Sequence, residues 1–598
     1  MPVRDAAGSL EKPTNRSDEP REASLELREP LWLRVALTCL VLTLGAIEGW
    51  FKRTDFTTDA ISYLDISRAL PARDWKMIFN PLWSVGYPLL LAIARPFFPS
   101  TADGEWLSIH AVNMAVFFAA WMAFLYLLRS FDAYYAGFAR EQALERRRFV
   151  LLAGTCIFIA IQLCIDSVSR VGPDLLVSLL FFLGTASLLR LLRDPGYGRA
   201  AVLGAVLGAG YWCKGIFLPL SFILLLVAGA ALYRAKRKFA PVLAAFVVFA
   251  VIAAPYAAGL SWSFGHFTMG ESGQLNYAFH VNYLPRWTNW QGGPAGYGTP
   301  IHPTHQLMKD PDVFAFGEPY HNTYPPFGNV TYWYVGYRHF WSPKYQAIGI
   351  ARDLDYLAKI LIHEPIFYAV ALAAVLLLVS FRERREWLTA ALGLWPFYLP
   401  ALLGIALYVQ VHLEDRYLGS FLAILCLLPF VSAAMLREMP ARTTRTLVLA
   451  VMALGAVLNY TIVDRDVLSH IRHHYTYAEN PQWKLGLDLE HLGLKPGDGV
   501  AAVGGPNASC TWAYIAHLRI VAELGGEPYD QHHPELEPLD TTVRKFWEMP
   551  AARREQVLTL FHQAGAVAVL ASDKPAEPRS SDGWQHIEGT RTWIYRFQ

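Results

Sequence analysis

At 598 residues the chain has room for several soluble domains or for one large membrane domain with an appendage, and its composition favours the membrane. Hydrophobic residues make up 54% and charged residues 17%, below the roughly 25% charged of an ordinary soluble domain, which excludes a disordered or collagen-like chain. With 52 basic and 50 acidic residues the formal charge is +2, so no overall field draws in nucleic acid and no nucleic-acid partner is expected.

The first thirty residues, rich in Glu, Arg, Pro and Ser without periodicity, read as a disordered cytoplasmic tail rather than a targeting peptide. From about Leu31 the chain enters apolar segments of roughly 18 to 22 residues, the length that crosses a hydrocarbon core of about 30 Å as helix. About eleven transmembrane helices are predicted, at 31–50, 106–129, 149–167, 174–192, 200–213, 215–233, 240–260, 364–381, 387–410, 417–436 and 444–463. A further apolar stretch at 82–98 carries Pro88 and Pro96 and reads as re-entrant or interfacial.

Short basic loops give the orientation, because Lys and Arg near span ends are retained in the cytoplasm. With the N-terminus inside, five such loops fall on the cytoplasmic side: Arg146 to Arg148; Arg193 and Arg199; Arg234 to Lys238; Arg382 to Arg385; and Arg437 to Arg445. The same alternation puts three long segments outside, 51–105, 261–363 and everything after about 464. The fold class expected is a polytopic α-helical protein of the cell inner membrane, with a membrane domain over 31–463 and a small extracytoplasmic α/β domain over 464–598. In that C-terminal domain the turn Lys495-Pro496-Gly497-Asp498-Gly499 separates β-like runs at Val500–Val503, Ile520–Glu523 and Val567–Ala571 from a helical stretch at Arg553–Ala564. Gly504-Gly505-Pro506-Asn507 is a phosphate cradle or, far more often, a tight turn, and Asn507-Ala508-Ser509 fits a glycosylation acceptor. The six cysteines, with no CxxC spacing, suggest neither a zinc site nor a disulfide framework.

An ionisable side chain at the end of a span is costly, so it marks a site, a pair or a snorkelling charge. On the outer face the first loop supplies Asp55, Asp59 and Asp65; the turn between the third and fourth spans supplies Asp166, Arg170 and Asp174; the next outer turn supplies Lys214; and the turn before the tenth span supplies His412, Glu414, Asp415 and Arg416. A carboxylate can take a proton from an attacking hydroxyl, while cations stabilise a departing phosphate, so the mixture suits glycosyl transfer from a lipid phosphate. Plainer readings stand beside this one. Asp55 reads as a surface charge, and Asp59 and Asp65, six apart, are not on one helix face. Asp174 follows Pro173 and would favour a helix N-terminus. Lys214 could snorkel, and Glu414-Asp415-Arg416 could be a local ion pair.

The order of these features resembles the C-type glycosyltransferase superfamily, polytopic enzymes that use polyprenyl-phosphate sugars and include protein O-mannosyltransferases and lipid A aminoarabinose transferases. The matching residues are Asp59-Ala60-Ile61-Ser62-Tyr63, the proline-bearing segment Asn80 to Leu89, Val171-Gly172-Pro173-Asp174, Lys214-Gly215 and Asp415-Arg416-Tyr417-Leu418, spread over about 31–463. The resemblance implies a catalytic pair, Asp59 and Asp174, with Asp59 as base and Asp174 positioning substrate. It also implies that Lys214, with Arg170 or Arg416, holds the donor phosphate, and that direct attack inverts the sugar carbon. Two departures stand out. Where the family has paired acids in the first loop this chain has Asp59-Ala60, so a divalent metal is not supported, and the loop 261–363 is unusually long and aromatic.

That loop contains Asn276, Tyr277, Trp287, Trp290, His302, His305, His321 and Tyr332-Trp333-Tyr334. Aromatic rings stack on sugars while Asn and His hydrogen-bond them; the alternative is an interfacial belt, since Trp and Tyr also collect where membrane meets water. Gly and Pro turns throughout favour a lid over the cavity, so Asn276, Tyr277 and His302 are candidate substrate contacts, to which the resemblance adds Tyr63 of the first loop. His302 and His305 lack an acidic or Cys partner nearby and do not read as metal ligands. The expected partners are a polyprenyl-phosphate sugar donor, a lipid, glycan or protein acceptor, and the membrane. An oligosaccharide polymerase or ligase would use the same kind of donor. A transporter would need midplane polar groups and repeated halves, which the sequence does not show.

Overall fold

The computed structural model describes residues 30–598 apart from 54–56, 136–142, 286–288, 291, 293–294, 302–303, 318–321, 382–383, 437, 464–479, 507–509, 526–538 and 573–582. Asp55, Trp287, His302, His321 and the acceptor-like Asn507 lie outside the described residues, as does the N-terminal tail.

Each predicted span falls on helix, because a Leu/Ala/Val/Phe run can enter lipid only with its backbone hydrogen bonds closed internally. Among the described residues seven helices are long and apolar enough to cross a membrane: Leu31–Phe51, Gly104–Tyr135, Ala143–Asp166, Asp174–Arg193, Phe217–Arg234, Ala240–Phe264 and Arg442–Ile462. Two bent pairs, Pro343–His363 with Pro365–Ser380 at 77° and Arg384–Gly393 with Trp395–Val409 at 67°, make nine if each is one span. The second helix of each pair has proline in its first turn, where the ring forbids continuation of the helix before it. The expected count of eleven is therefore not reached among the described residues. Its two remaining members, Tyr197–Cys213 and Gly419–Met435, are 17 residues each, short of the ~20 a span needs. The stretch at 82–98 forms a nine-residue helix, Gly86–Ala94, and a 3₁₀ turn, Arg95–Phe97, too short to cross.

The C-terminal domain builds a seven-stranded sheet, and two of its strands come from the long loop after Phe264. In chain order they are β1 (His305–Lys309), β2 (Asp312–Ala315), β3 (Gly499–Val503), β4 (Arg519–Leu524), β5 (Ala568–Ser572), β6 (Trp584–His586) and β7 (Thr592–Arg596). The spatial order is β1-β2-β4-β3-β5-β7-β6. Central β3 runs parallel to β4 and β5, with Val500 opposite Ile520 and Ala568. All five of its residues are buried, as the run GVAAV requires of a strand covered on both faces. Val500 and Ala502 point into a core continuous with the helical bundle, while Ala501 and Val503 meet Phe546, Val557 and Phe561 on the other side.

The long loop is clamped between sheet and bundle by two buried carboxylates that grip consecutive residues. Asp65 accepts from the Thr323 N–H at 2.9 Å and the Thr323 hydroxyl at 3.1 Å. Glu523 accepts from the Tyr324 hydroxyl at 3.0 Å and from Asn289 Nδ2 at 2.5 Å. Burial outweighs these bonds and raises Asp65 from the ordinary 3.8 to about 6, and Glu523 from 4.5 to about 7. An acid whose folded value is raised adds stability that is complete below its unfolded value and is lost as pH climbs through the folded one. The melting temperature of the purified chain should therefore fall between about pH 4 and 7, as each acid removes up to about 1.4 kcal/mol per pH unit. Glu523→Gln should flatten the upper half of that slope. An equally steep melting profile in that variant would show that Glu523 is not the titrating group.

Candidate active site

The ionisable residues singled out at the span ends converge from four separate stretches of chain. Asp59 stands in the first turn of the Thr58–Ala72 helix, where a carboxylate suits the positive end of the helix dipole. Its Oδ2 accepts from Arg416 Nη2 at 2.8 Å. Asp174 opens the Asp174–Arg193 helix, and its Oδ1 lies 2.5 Å from Lys214 Nζ, in the break between Cys213 and Phe217. The two pairs meet at one ring: Lys214 Nζ lies 4.0 Å and Arg416 Cζ 5.3 Å from the centroid of Tyr417. Tyr63, one turn after Asp59, is buried, and both burial and the Asp174 and Asp59 charges push its phenol well above its ordinary value. It is therefore a neutral donor beside the two carboxylates.

A second tier holds these groups. Arg416 Nε also donates to Glu414 at 2.5 Å, and Glu414 bonds His412 Nε2 at 3.1 Å. Burial raises Glu414, but the His412 bond and the Arg416 charge outweigh it and hold the carboxyl at about 2. His412 stacks flat on His280 at 3.6 Å, which ties the turn to the Ser272–His280 helix of the long loop. Tyr87 donates to Asn113 Oδ1 at 2.7 Å, and Asn113 Nδ2 donates to the carbonyls of Val168 and Arg170 at 3.0 and 3.1 Å, pinning the turn that presents Asp174. Gly86 lets the proline-bearing segment pack on the end of the Tyr197–Cys213 helix, since a Cβ there would stand 2.6 Å from Cys213 Sγ. Gly419, just beyond Tyr417, is needed for a similar reason: a Cβ would overlap the Asp166 carboxylate, whose Oδ2 accepts from Ser178 at 2.6 Å. Gly419→Ala should cost about 1–3 kcal/mol of stability and displace Tyr417. Wild-type melting in that variant would mean the turn yields freely.

Of the predicted site residues, Asp59, Asp174, Lys214, Arg416 and Tyr63 come together. Arg170 lies at the edge, 3.8 Å from Asp415 Oδ1. Asn276 and Tyr277 sit on the neighbouring helix, bonded to the Ser272 carbonyl and to Gln346, apart from the ionic cluster. Asp65 faces Thr323 instead, as its six-residue offset from Asp59 requires. Sequence reasoning overlooked Asn113 and His280; a lone Asn inside an apolar run was the available signal for the first.

Polar atoms left unused suggest what enters. Among the described residues Asp174 Oδ2 is buried without a hydrogen-bond partner, beside a lysine already committed to Oδ1. Arg170 Nη1 and His412 Nδ1 are likewise buried without one. Burial lowers the Lys214 ammonium, and Asp174 opposes that fall. The site thus offers two cations at an aromatic ring, a carboxylate exposed by about a third and a second with an open oxygen. Among the described residues no group of three His, Cys, Asp or Glu is placed to hold a metal ion.

The helical bundle with its sheet is the fold of a multi-pass membrane protein that is already seen in a solved structure. In particular, the chain is similar to ArnT from Cupriavidus metallidurans in the apo state, with a TM-score of 0.50 at 12% identity over 94% of this chain and 97% of that one. The same enzyme bound to undecaprenyl phosphate gives 0.47 at 11% identity over the same shares of the two chains. An Archaeoglobus fulgidus oligosaccharyltransferase in complex with Zn and sulfate gives 0.47 at 13%, over 90% of this chain and 67% of that one. No family model matches the chain, and no curated protein matches it in sequence.

Proposed function

We propose that the chain transfers a sugar from a polyprenyl-phosphate donor to an acceptor hydroxyl on the extracytoplasmic side of the membrane, with inversion at the sugar carbon. The observation that carries this reading is the meeting of the Asp59–Arg416 and Asp174–Lys214 pairs at Tyr417, with Asp174 Oδ2 left without a hydrogen-bond partner among the described residues. The fold shared with ArnT and the alternation of basic loops support it, the latter favouring a cytoplasmic N-terminus and a sheet on the outer side.

In the resting state each cation is neutralised by a carboxylate, so a donor phosphate has to compete for them. Its anionic oxygen takes Arg416 from Asp59, with Glu414 keeping the guanidinium in place, and Asp59 becomes free to act as base. The acceptor oxygen then attacks the sugar carbon while its proton passes to Asp59. The bond from that carbon to the phosphate oxygen breaks, and the electron pair leaves with the polyprenyl phosphate. The second negative charge that develops there is met by Lys214 and Arg416. Asp174 Oδ2 accepts a hydroxyl of the sugar and orients the ring. Lipid-linked sugar profiling in a strain lacking the gene tests this: one polyprenyl-phosphate sugar should accumulate. An unchanged pool of every such lipid would contradict it.

A further inference from the structure

The helix Pro343–His363 follows the long loop and precedes Pro365–Ser380, and the two meet at 77°. At about 1.5 Å per residue its 21 residues extend roughly 31 Å, enough to cross a bilayer on length alone. Its charges oppose that. Arg352, Asp353, Asp355 and Lys359 fall in its central turns, so a crossing helix would carry four charged side chains through the hydrocarbon core, the costliest place for them.

Around its circumference the helix has three sides. Gly349, Asp353 and Ile360 are buried against the protein. Ala347, Ala351, Leu354, Ala358 and Leu361, spaced alternately four and three apart, form one apolar stripe, and all five are exposed. Lys344, Asp355, Lys359 and His363 are exposed on the remaining side, with Ile348 and Ile362 interspersed. There Lys359 Nζ lies 2.6 Å from Asp355 Oδ2, and His363 Nδ1 lies 2.7 Å from the Lys359 carbonyl. Water alone does not suit the apolar stripe, and hydrocarbon alone does not suit the charged one. A helix that presents both belongs at the boundary between them.

Its neighbours mark where that boundary runs. Pro365–Ser380 exposes Tyr368, Leu372, Val375 and Val379 in a single row, the lipid-facing side of a span. Only Glu364 separates the two helices, so the charged helix ends where that row begins, at the membrane surface. At its other end Trp341, exposed, stands just before the N-cap Ser342, and tryptophan collects at headgroup level.

We propose that Pro343–His363 lies in the membrane interface on the side of the long loop, with its apolar stripe among the acyl chains of that leaflet and its charged side at the headgroups. The partner of this surface is the bilayer. The inference goes beyond the transferase reading and does not depend on it. Its consequence reaches the candidate site, because Gln346 Nε2 donates to the Gln410 carbonyl at 2.6 Å, and Arg352 donates to the carbonyls of His280 and Val411 at 2.8 and 3.3 Å. Through these bonds the bilayer holds the turn that carries Glu414 and Arg416 at headgroup depth.

Spin labelling of the full-length chain in phosphatidylcholine nanodiscs tests the placement, on a Cys39→Ser background that removes the exposed native thiol. Leu354→Cys, Leu361→Cys, Asp355→Cys and Lys359→Cys are labelled singly. Relaxation by oxygen, which concentrates among acyl chains, is then compared with relaxation by a water-soluble nickel chelate. Labels at the two leucine positions should favour oxygen by at least about threefold, and labels at the two charged positions should favour the chelate by a similar factor. Ala351→Cys and Ala358→Cys read the same stripe should a leucine replacement unfold the chain. Chelate access at all four positions would overturn the proposal by placing the helix in water, and oxygen access at all four would do so by placing it across the membrane. Protection of the leucine positions from both reagents would overturn it as well, since a second copy or another protein would then cover the stripe.

Discussion

Asp59→Asn should lower sugar transfer by about a hundredfold or more while leaving expression and melting temperature nearly unchanged. The substitution keeps volume and removes the base, and the ion pair it weakens involves a side chain one-third exposed, a setting in which such pairs contribute little to stability. Arg416 keeps its second carboxylate, Glu414, so the cation stays in position for the donor. Product formation from a polyprenyl-phosphate sugar, measured at saturating donor, checks this. Near-normal turnover would transfer the base role to Asp174, whose Oδ2 has no hydrogen-bond partner among the described residues.

Lys214→Met should reduce affinity for a polyprenyl phosphate by about tenfold to a hundredfold, because it retains the apolar stem and removes the charge. It also strands Asp174, 5% exposed, without its partner, and breaking a buried pair from one side costs about 3–5 kcal/mol. The double variant Lys214→Met with Asp174→Asn separates the two effects: stability should return, since no buried charge is left unpaired, but donor affinity should not. Recovery of affinity together with stability would reduce Lys214 to a structural counter-ion and leave Arg170 or Arg416 as the cation for the phosphate.

Much of the membrane domain was legible because lipid restricts the backbone to helix, so apolar length alone located the segments. What length could not supply was their geometry. Pro365 and Pro396 fold two predicted spans against the helices before them, and Tyr197–Cys213 and Gly419–Met435 are short because each abuts a turn, at Lys214 and at Tyr417. The strands at the centre of the sheet announced themselves as buried apolar runs, whereas β1, His305–Lys309, is largely exposed and has no alternation to read. For that reason the long loop reads from sequence as a lid, with no sign that it gives two strands to the sheet.

At the site, the residue types were legible from their cost: Asp59, Asp174, Lys214 and Arg416 are charges where apolar spans meet their loops. Their pairing was not, because Asp59 and Arg416 are 357 residues apart and nothing local joins them. Asp65 illustrates the other limit. The six-residue offset separates Asp65 from the face of Asp59 but says nothing of its partner; in the structure it is turned to the loop side, where it holds Thr323 and lines a different cavity.

The central claim, that the paired charges around Tyr417 form the seat of a lipid phosphate, is tested most directly by a structure of the purified chain with bare polyprenyl phosphate. The account predicts phosphate oxygens within hydrogen-bond distance of Lys214 Nζ and the Arg416 guanidinium, with Asp59 released from Arg416 and facing open space. A phosphate bound elsewhere, with the Asp59–Arg416 and Asp174–Lys214 pairs intact, would contradict it.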